Sequence, residues 1–356
     1  MALAALTVVA PSRGMLLLDR IEERFWNPST ATYIEWIDTK GNRSHDAAFA
    51  WDMGVLLSAR AAAIGHSEKS VSAFDRAQRA LQKYWTDAHG VGGYSVWPGQ
   101  QEQPDRYYDD NAWIGLAQVE AFERSGKKKY LDLAKATYRF VISGKDSSLG
   151  GGIYWREQKR ESKNTCVNAP AALLAAKLYS ATRSKVYLGE AESLYAWTSK
   201  LRDKDGLCWD NISLKNTIGR TKWTYNSALM IRAGLALYKV TKQKAYLEQA
   251  VATAKSAAAR WIDGETGAIK DEGPFAHHLA EAFLLLIEFD QSHDWRALAQ
   301  KAIKFAYSKT EQNGLYGLRW DRFELRENHA LLLYQASMAR ALLMEERALQ
   351  DGASDG

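Results

Sequence analysis

The sequence predicts an all-α protein, a closed ring of six helical hairpins, and three observations predict it. The 356-residue chain holds only 6 prolines, and its long stretches are rich in Ala and Leu, residues that lose little on entering a helix, whereas Pro breaks one. A unit of helix, glycine-bearing aromatic turn and second helix recurs six times at intervals of about 55 residues, the signature of a repeat whose units bury their apolar faces on one another. In each unit the second helix is the more apolar: FAWDMGVLL, WIGLA, APAALLAAKL, ALMIRAGLAL, HLAEAFLLLI and ALLLYQASMARALL. Helices apolar on every side belong inside a second layer. No unit has the polar outer face of a solenoid cap, so the expected architecture is an (α/α)6 barrel with these helices as its inner ring.

The elements follow in order. Residues 1–11, within MALAALTVVAPS, lack a basic leader region and read as an irregular N-terminus or the remnant of a signal peptide. Both readings stay open, and with them a cytoplasmic or a secreted location. Ser12 is placed to cap a helix through MLLLDRIEERFW, where Leu16, Leu17, Ile21, Phe25 and Trp26 form a stripe of helical period. Asn27-Pro28-Ser29 ends it, and a connection with Tyr33, Ile34 and Trp36 leads past His45-Asp46 into AAFAWDMGVLLSARAAAIG, closed by Gly65. Outer helices then begin near Ser67, Lys128, Lys185, Lys244 and Asp294. Each is followed by a turn: GGYSVW at 92–97, GGGIYW at 150–155, DGLCWD at 205–210, TGAIKDE at 266–272 and NGLYGLRW at 313–320. Inner helices follow from near Asp109, Asn164, Thr221, Gly273 and Glu327. One catalytic domain is expected over 12–346, with a polar tail over 347–356.

Composition removes several function classes. The net charge of +5 is spread along helix faces and forms no Lys/Arg tract, so nucleic acid is not an expected partner. No apolar run reaches the roughly 18 residues of a membrane span. Cys166 and Cys208 form no metal pattern and allow at most one disulfide, and the seven histidines include no HExxH spacing. Neither a metal nor an organic cofactor is expected, and the chain is expected to act as a monomer.

The stretch Tyr107-Tyr108-Asp109-Asp110-Asn111-Ala112-Trp113 places paired acids at the start of an inner helix. Asp at that position is also a good helix cap, because it accepts hydrogen bonds from free N–H groups and suits the positive end of the helix dipole. The aromatics on both sides point further. Sugar rings pack their C–H faces on Trp and Tyr while their hydroxyls seek carboxylates and amides. Because all six turns lead into inner helices, Asp109 and Asp110 should share one barrel mouth with Trp97, Trp155, Trp209, Trp223 and Tyr225. Plugging the barrel end is the alternative role for each aromatic.

In this stretch the chain resembles glycoside hydrolase family 76, the endo-α-1,6-mannanase family. The similarity extends in order through GGGIYW, Lys163-Asn164-Thr165-Cys166-Val167-Asn168, DGLCWD and Trp223-Thr224-Tyr225-Asn226, over roughly residues 90 to 275. The resemblance implies an (α/α)6 fold and a retaining mechanism on α-mannan or manno-oligosaccharides, with Asp109 attacking the anomeric carbon and Asp110 serving as acid and then base. A retaining pair needs carboxyl groups about 5 to 5.5 Å apart, which adjacent residues can meet. At that distance two full charges repel and one pKa must rise. Residue types alone let either acid hold the proton; the assignment comes from the resemblance. It also implies sugar-binding roles for Tyr108, Trp97, Trp155, Asn164, Asn168, Asp210, Trp223, Tyr225 and Asn226, each with capping or buried structural duty as the alternative. One of Tyr107 and Tyr108 is expected to point into the barrel wall. The chain departs from the family pattern after Gly273-Pro274-Phe275, where it reads Ala276-His277-His278-Leu279, and in its loosely similar first unit. Transglycosylation therefore stands beside hydrolysis. Two other classes stay open: a sugar epimerase or isomerase using His277-His278 for proton transfer, and an inactive glycan-binding protein.

Overall fold

The computed structural model describes residues 12–354, so the N-terminal stretch 1–11 lies outside the described residues. Twelve α-helices follow one another: α1 Arg13–Phe25, α2 Ala50–Ala62, α3 Ser70–Gln82, α4 Tyr108–Ser125, α5 Lys128–Ser143, α6 Thr165–Thr182, α7 Lys185–Ser199, α8 Thr224–Thr241, α9 Lys244–Trp261, α10 Gly273–Leu286, α11 Trp295–Lys309 and α12 Leu332–Ser354. Each even-numbered helix packs on the next even-numbered one, and α12 packs back on α2, which closes an inner ring of six. The odd-numbered helices form the outer ring. This is the (α/α)6 barrel, and it follows from burial: α6 is buried without interruption from Thr165 to Ala176, whereas α3 and α5 bury one stripe each. The inner helices approach closely where a side chain is missing. A Cβ on Gly115 of α4 would lie 2.5 Å from Leu174 Cδ2 of α6.

The hairpins pair differently from the repeat unit read in the sequence. Each outer helix packs chiefly on the inner helix before it, and α1 packs on α12, so the first helix of the chain completes the last pair. The reason is loop length. Two-residue links, Gly126-Lys127, Arg183-Ser184 and Lys242-Gln243, follow α4, α6 and α8, with left-handed φ of 67°, 61° and 62° at their first residues, so the next helix must turn straight back. The polar stretch after 346 continues α12 as helical backbone to Ser354.

The long connections all lie at the opposite end and carry short strands that the all-helical reading did not include. They are stitched to their neighbours around the whole mouth. Ala50 N–H donates to Val96 O (3.0 Å), Tyr107 bridges Arg156, and Ser162–Asn164 pairs antiparallel with Asn211–Ser213. Thr224 donates through N–H and Oγ1 to Asp271 Oδ2 (3.0 and 2.8 Å), Gly273 N–H donates to Leu318 O (2.6 Å), and His329–Leu331 pairs with Trp36–Asp38 to close the circle. That last strand moves the start of α12 from the expected Glu327 to Leu332, because Glu327 and Asn328 sit at φ 53° and 61° and cannot continue a right-handed helix. Between 46 and 49 the chain is likewise non-helical, and α2 starts at Ala50. No helix among the described residues is long and apolar enough to cross a membrane.

Candidate active site

The acid pair occupies the second and third positions of α4, in the first turn, where backbone N–H groups have no partner within the helix and point to the mouth. Asp109 is well supplied with donors. Trp155 Nε1–H donates to its Oδ2 at 2.9 Å, the Cys166 thiol to the same oxygen at 3.3 Å, and the Asp110 N–H to Oδ1 at 3.1 Å. Burial pushes its pKa up to about 6, and these hydrogen bonds restrain the rise. No side chain or backbone group among the described residues donates to the Asp110 carboxyl, whose pKa is raised further, first by burial and then by the charge of Asp109. Two adjacent carboxyls thus sit in unlike surroundings. The hydrogen bonds favour the anion at Asp109 and the proton at Asp110. A third carboxyl, Asp52, is buried in the first turn of α2 with Oδ2 unpartnered among the described residues; burial pushes its own pKa well up, and in its charged form it adds to the pressure on Asp110.

The two tyrosines before the pair go opposite ways. Tyr107 is half-buried and meets Trp155 edge to face, with ring centroids 5.1 Å apart. Tyr108, expected among the sugar-binding residues, is instead fully buried in the barrel wall. It stacks on Phe140 at 4.9 Å and fills the space over Gly144, where a Cβ would fall 2.6 Å from its ring. Asn168 is also turned away from the cleft by its hydrogen bonds. Its Oδ1 accepts from Ile153 N–H (2.7 Å), and its Nδ2 donates to Ile153 O and Asn164 O (both 2.9 Å). The same clip recurs at the fourth position of two other inner helices. Asn111 exchanges hydrogen bonds with the backbone of Tyr94 and Gln335 with that of Tyr316, and Ser227 at the same position of α8 accepts from Cys208 N–H. An inner-helix amide or hydroxyl thus holds the glycine-aromatic turn that leads to it.

The other expected residues gather along the mouth. Trp155 is 41% exposed, so its ring face is free while its N–H is spent on Asp109. Asp210 accepts from Asn226 Nδ2 (3.2 Å) and Asn211 Nδ2 (2.8 Å), and its charge reaches both Cys166 and Tyr225. Asn226 is buried with Oδ1 unpartnered. Asn164 accepts from Ser162 Oγ (2.8 Å) at the junction of strand and helix. Tyr225 stacks on Phe275 at 4.5 Å, and Trp223 and Trp51 lie 5.3 and 5.8 Å from the same ring. Trp97 packs at 3.9 Å on Phe49 beside the start of α2.

Sequence reasoning missed the places of Phe275 and Cys166. Phe275 stands just before the chain departs from the family pattern, and Cys166 has the sequence context of a plain buried thiol. Both cysteines are free, so no disulfide joins them. His277 and His278, the proton-transfer alternative, are buried below the mouth. Burial pushes His277 down to about 4 and His278 well down, His278 stacks on Trp113 at 4.4 Å, and His277 Nδ1 bonds Gly273 O at 3.1 Å. Neutral rings held in this way have structural partners. No group of three or more potential metal ligands occurs among the described residues.

A helical barrel whose mouth carries two adjacent carboxyls in unlike surroundings, walled by aromatic faces, has the make-up of a carbohydrate-processing enzyme of the glycoside hydrolase class. More particularly, the chain belongs to glycosyl hydrolase family 76, whose model matches residues 22–352. It is 29% identical to the GH76 α-mannanase BT2949 of Bacteroides thetaiotaomicron, with a TM-score of 0.88 over 96% of each chain. It is 25% identical to the family 76 mannosidase Bt3792 from the same species, with a TM-score of 0.83 over 96% of this chain and 98% of that one. Over 151 residues it is 28% identical to mannan endo-1,6-alpha-mannosidase DCW1 of Candida glabrata. That match spans 37% of this chain and 34% of the relative, about a third of its length.

Proposed function

We propose that this protein is a retaining glycoside hydrolase that cleaves α-1,6-mannosidic linkages in α-mannan, with Asp109 as nucleophile and Asp110 as general acid and base. The observation that carries the reading is the asymmetry of the pair: three donors on Asp109 and, among the described residues, none on Asp110. In the first step an Asp109 oxygen bonds to the anomeric carbon as the glycosidic C–O bond breaks, and Asp110 gives its proton to the leaving oxygen. In the second step Asp110, now a carboxylate, takes a proton from water as the water oxygen displaces Asp109. Two inversions return the starting α configuration. A sugar hydroxyl in place of that water gives transglycosylation. The mannan preference rests on the relatives: BT2949 is named an α-mannanase and DCW1 a mannan endo-1,6-alpha-mannosidase.

Trp155, Trp223 and Tyr225 offer faces for sugar stacking, and Asp210, Asn164 and Asn226 offer hydrogen-bonding groups beside the pair. The test is digestion of linear α-1,6-mannan and of α-1,6-mannobiose, followed by NMR of the first product formed. Internal cleavage with α-configured product is expected, and Asp109→Asn and Asp110→Asn should each remove most of it. Absence of cleavage on any α-mannan overturns the substrate, and an initial β-product overturns the retaining mechanism.

A further inference from the structure

The barrel has a second, opposite end, where the inner helices finish. A cavity of about 720 Å³ opens there. Its floor is a buried charge cluster drawn from α4, α8, α10 and α12. Arg340 donates to Glu120 (2.7 Å) and to Glu281 (2.6 Å), Arg124 pairs with Glu120 (2.6 Å), and Arg232 pairs with Glu281 (2.9 Å). Three guanidinium groups therefore share two carboxylates. Arg232 is 8% exposed, and among the described residues its Nε has no acceptor and one nitrogen of Arg124, Nη1, is also unpartnered. All five side chains line the cavity, with Lys177 beside them, itself already paired with Glu123.

A buried surplus cation is costly unless it meets a counter-ion, and guanidinium groups are shaped to bind tetrahedral or planar oxyanions. The surplus is felt by its neighbours. Burial, reinforced by the Arg340 charge, outweighs Glu281 and brings the Arg232 pKa down, and both arginines add to the depression of His277 and His278. A void of about 20 Å³ beside the cluster is lined by Trp113 and His278 and by neither Asp109 nor Asp110.

We propose that this basal cavity is a binding site for a small oxyanion of the phosphate class, held by Arg232, Arg124 and Arg340 on the side of the barrel away from the acids. The anion neutralises the third guanidinium through the guanidinium nitrogens that face the cavity. Such a site does not depend on which glycan is cleaved at the other end.

The test is calorimetric titration of the full chain with inorganic phosphate, with sodium sulfate and succinate as further arms and with sodium chloride at matched ionic strength as the control. Saturable binding of one phosphate per chain is expected, along with a rise in melting temperature that chloride does not reproduce. Sulfate binding alongside phosphate supports a site for tetrahedral oxyanions; binding of succinate alone overturns the phosphate class. Arg232→Gln, which leaves Glu281 paired with Arg340, should weaken binding by roughly tenfold or more, the cost of one charge-assisted hydrogen bond. Arg124→Gln, nearer the rim, provides the same reading should the first variant fail to fold. The double variant Asp109→Asn/Asp110→Asn should bind phosphate as the wild type does. Heat no greater than with chloride means the cluster is satisfied by water and overturns the proposal. Loss of binding in the Asp109/Asp110 variant, or binding unchanged in the arginine variants, places the anion elsewhere and overturns it too.

Discussion

Replacing Trp155 by Phe removes one donor from Asp109 and leaves an aromatic face in place. The indole N–H lies 2.9 Å from Asp109 Oδ2, and a hydrogen bond to a charged group contributes about 1.5 to 3 kcal/mol. Trp155 is 41% exposed, so water replaces part of that bond, and a net loss of about 1 kcal/mol is the appropriate scale. At about 1.36 kcal/mol per pH unit, the acid limb of kcat/KM, set by Asp109 at about 6, should move up by about 0.7 pH unit. The rate constant should therefore fall roughly fourfold at about pH 5.5 and by less than about a fifth at about pH 7.5. The assay is a pH profile of kcat/KM on an α-1,6-manno-oligosaccharide for wild type and variant. Cys166→Ala removes a longer, weaker thiol donor and should shift the same limb less. An acid limb that stays in place in Trp155→Phe, or a loss uniform across pH, would refute the assignment of Asp109 as the ionised member.

The pair should also cost stability. A carboxyl whose folded pKa is raised contributes stability that is fully present below its ordinary value of 3.8 and is lost as pH rises through the folded value, here about 6 for Asp109. Holding it there corresponds to ~3 kcal/mol, reduced by partial exposure to about 1 to 2 kcal/mol. Asp109→Asn should accordingly be more stable than wild type by that amount at about pH 7 in urea unfolding and equal to it near pH 4; a variant less stable at neutral pH contradicts the electrostatics. Asn168→Ala leaves the N–H and C=O of Ile153 unpaired in the interior and should lower unfolding free energy by about 2 to 4 kcal/mol, with an unchanged urea midpoint counting against the clip. Phe275→Ala removes the surface on which Tyr225 and Trp223 rest, and should raise KM roughly tenfold with a smaller change in kcat. The reverse split would assign Phe275 to the acid pair itself.

Much of the fold is legible along the chain because helical period and punctuation are local properties. Lys128, Lys185, Lys244 and Gly273 read as helix starts and do begin α5, α7, α9 and α10. The excess of apolar residues in alternate helices is enough to separate inner from outer ring, since a helix buried on all sides has no face to spare for water. What local pattern does not reach is pairing across the ring. The outer helix belongs to the inner helix before it, a choice made for α5, α7 and α9 by two-residue links that resemble any other polar turn.

The sequence by itself determined that two adjacent acids stand at the start of an inner helix among aromatic turns, because spacing, period and turn residues are written along the chain. Only the tertiary structure decided what each residue there does. Tyr108 faces the wall because Phe140 and Gly144 lie behind it, and Asn168 is occupied because the Ile153 N–H and C=O need both atoms of its amide. Asp109 and Asp110 differ for the same reason. The donors that distinguish them, Trp155 and Cys166, lie 46 and 57 residues further along the chain, and the closing of the ring brings them to one carboxyl and not to its neighbour.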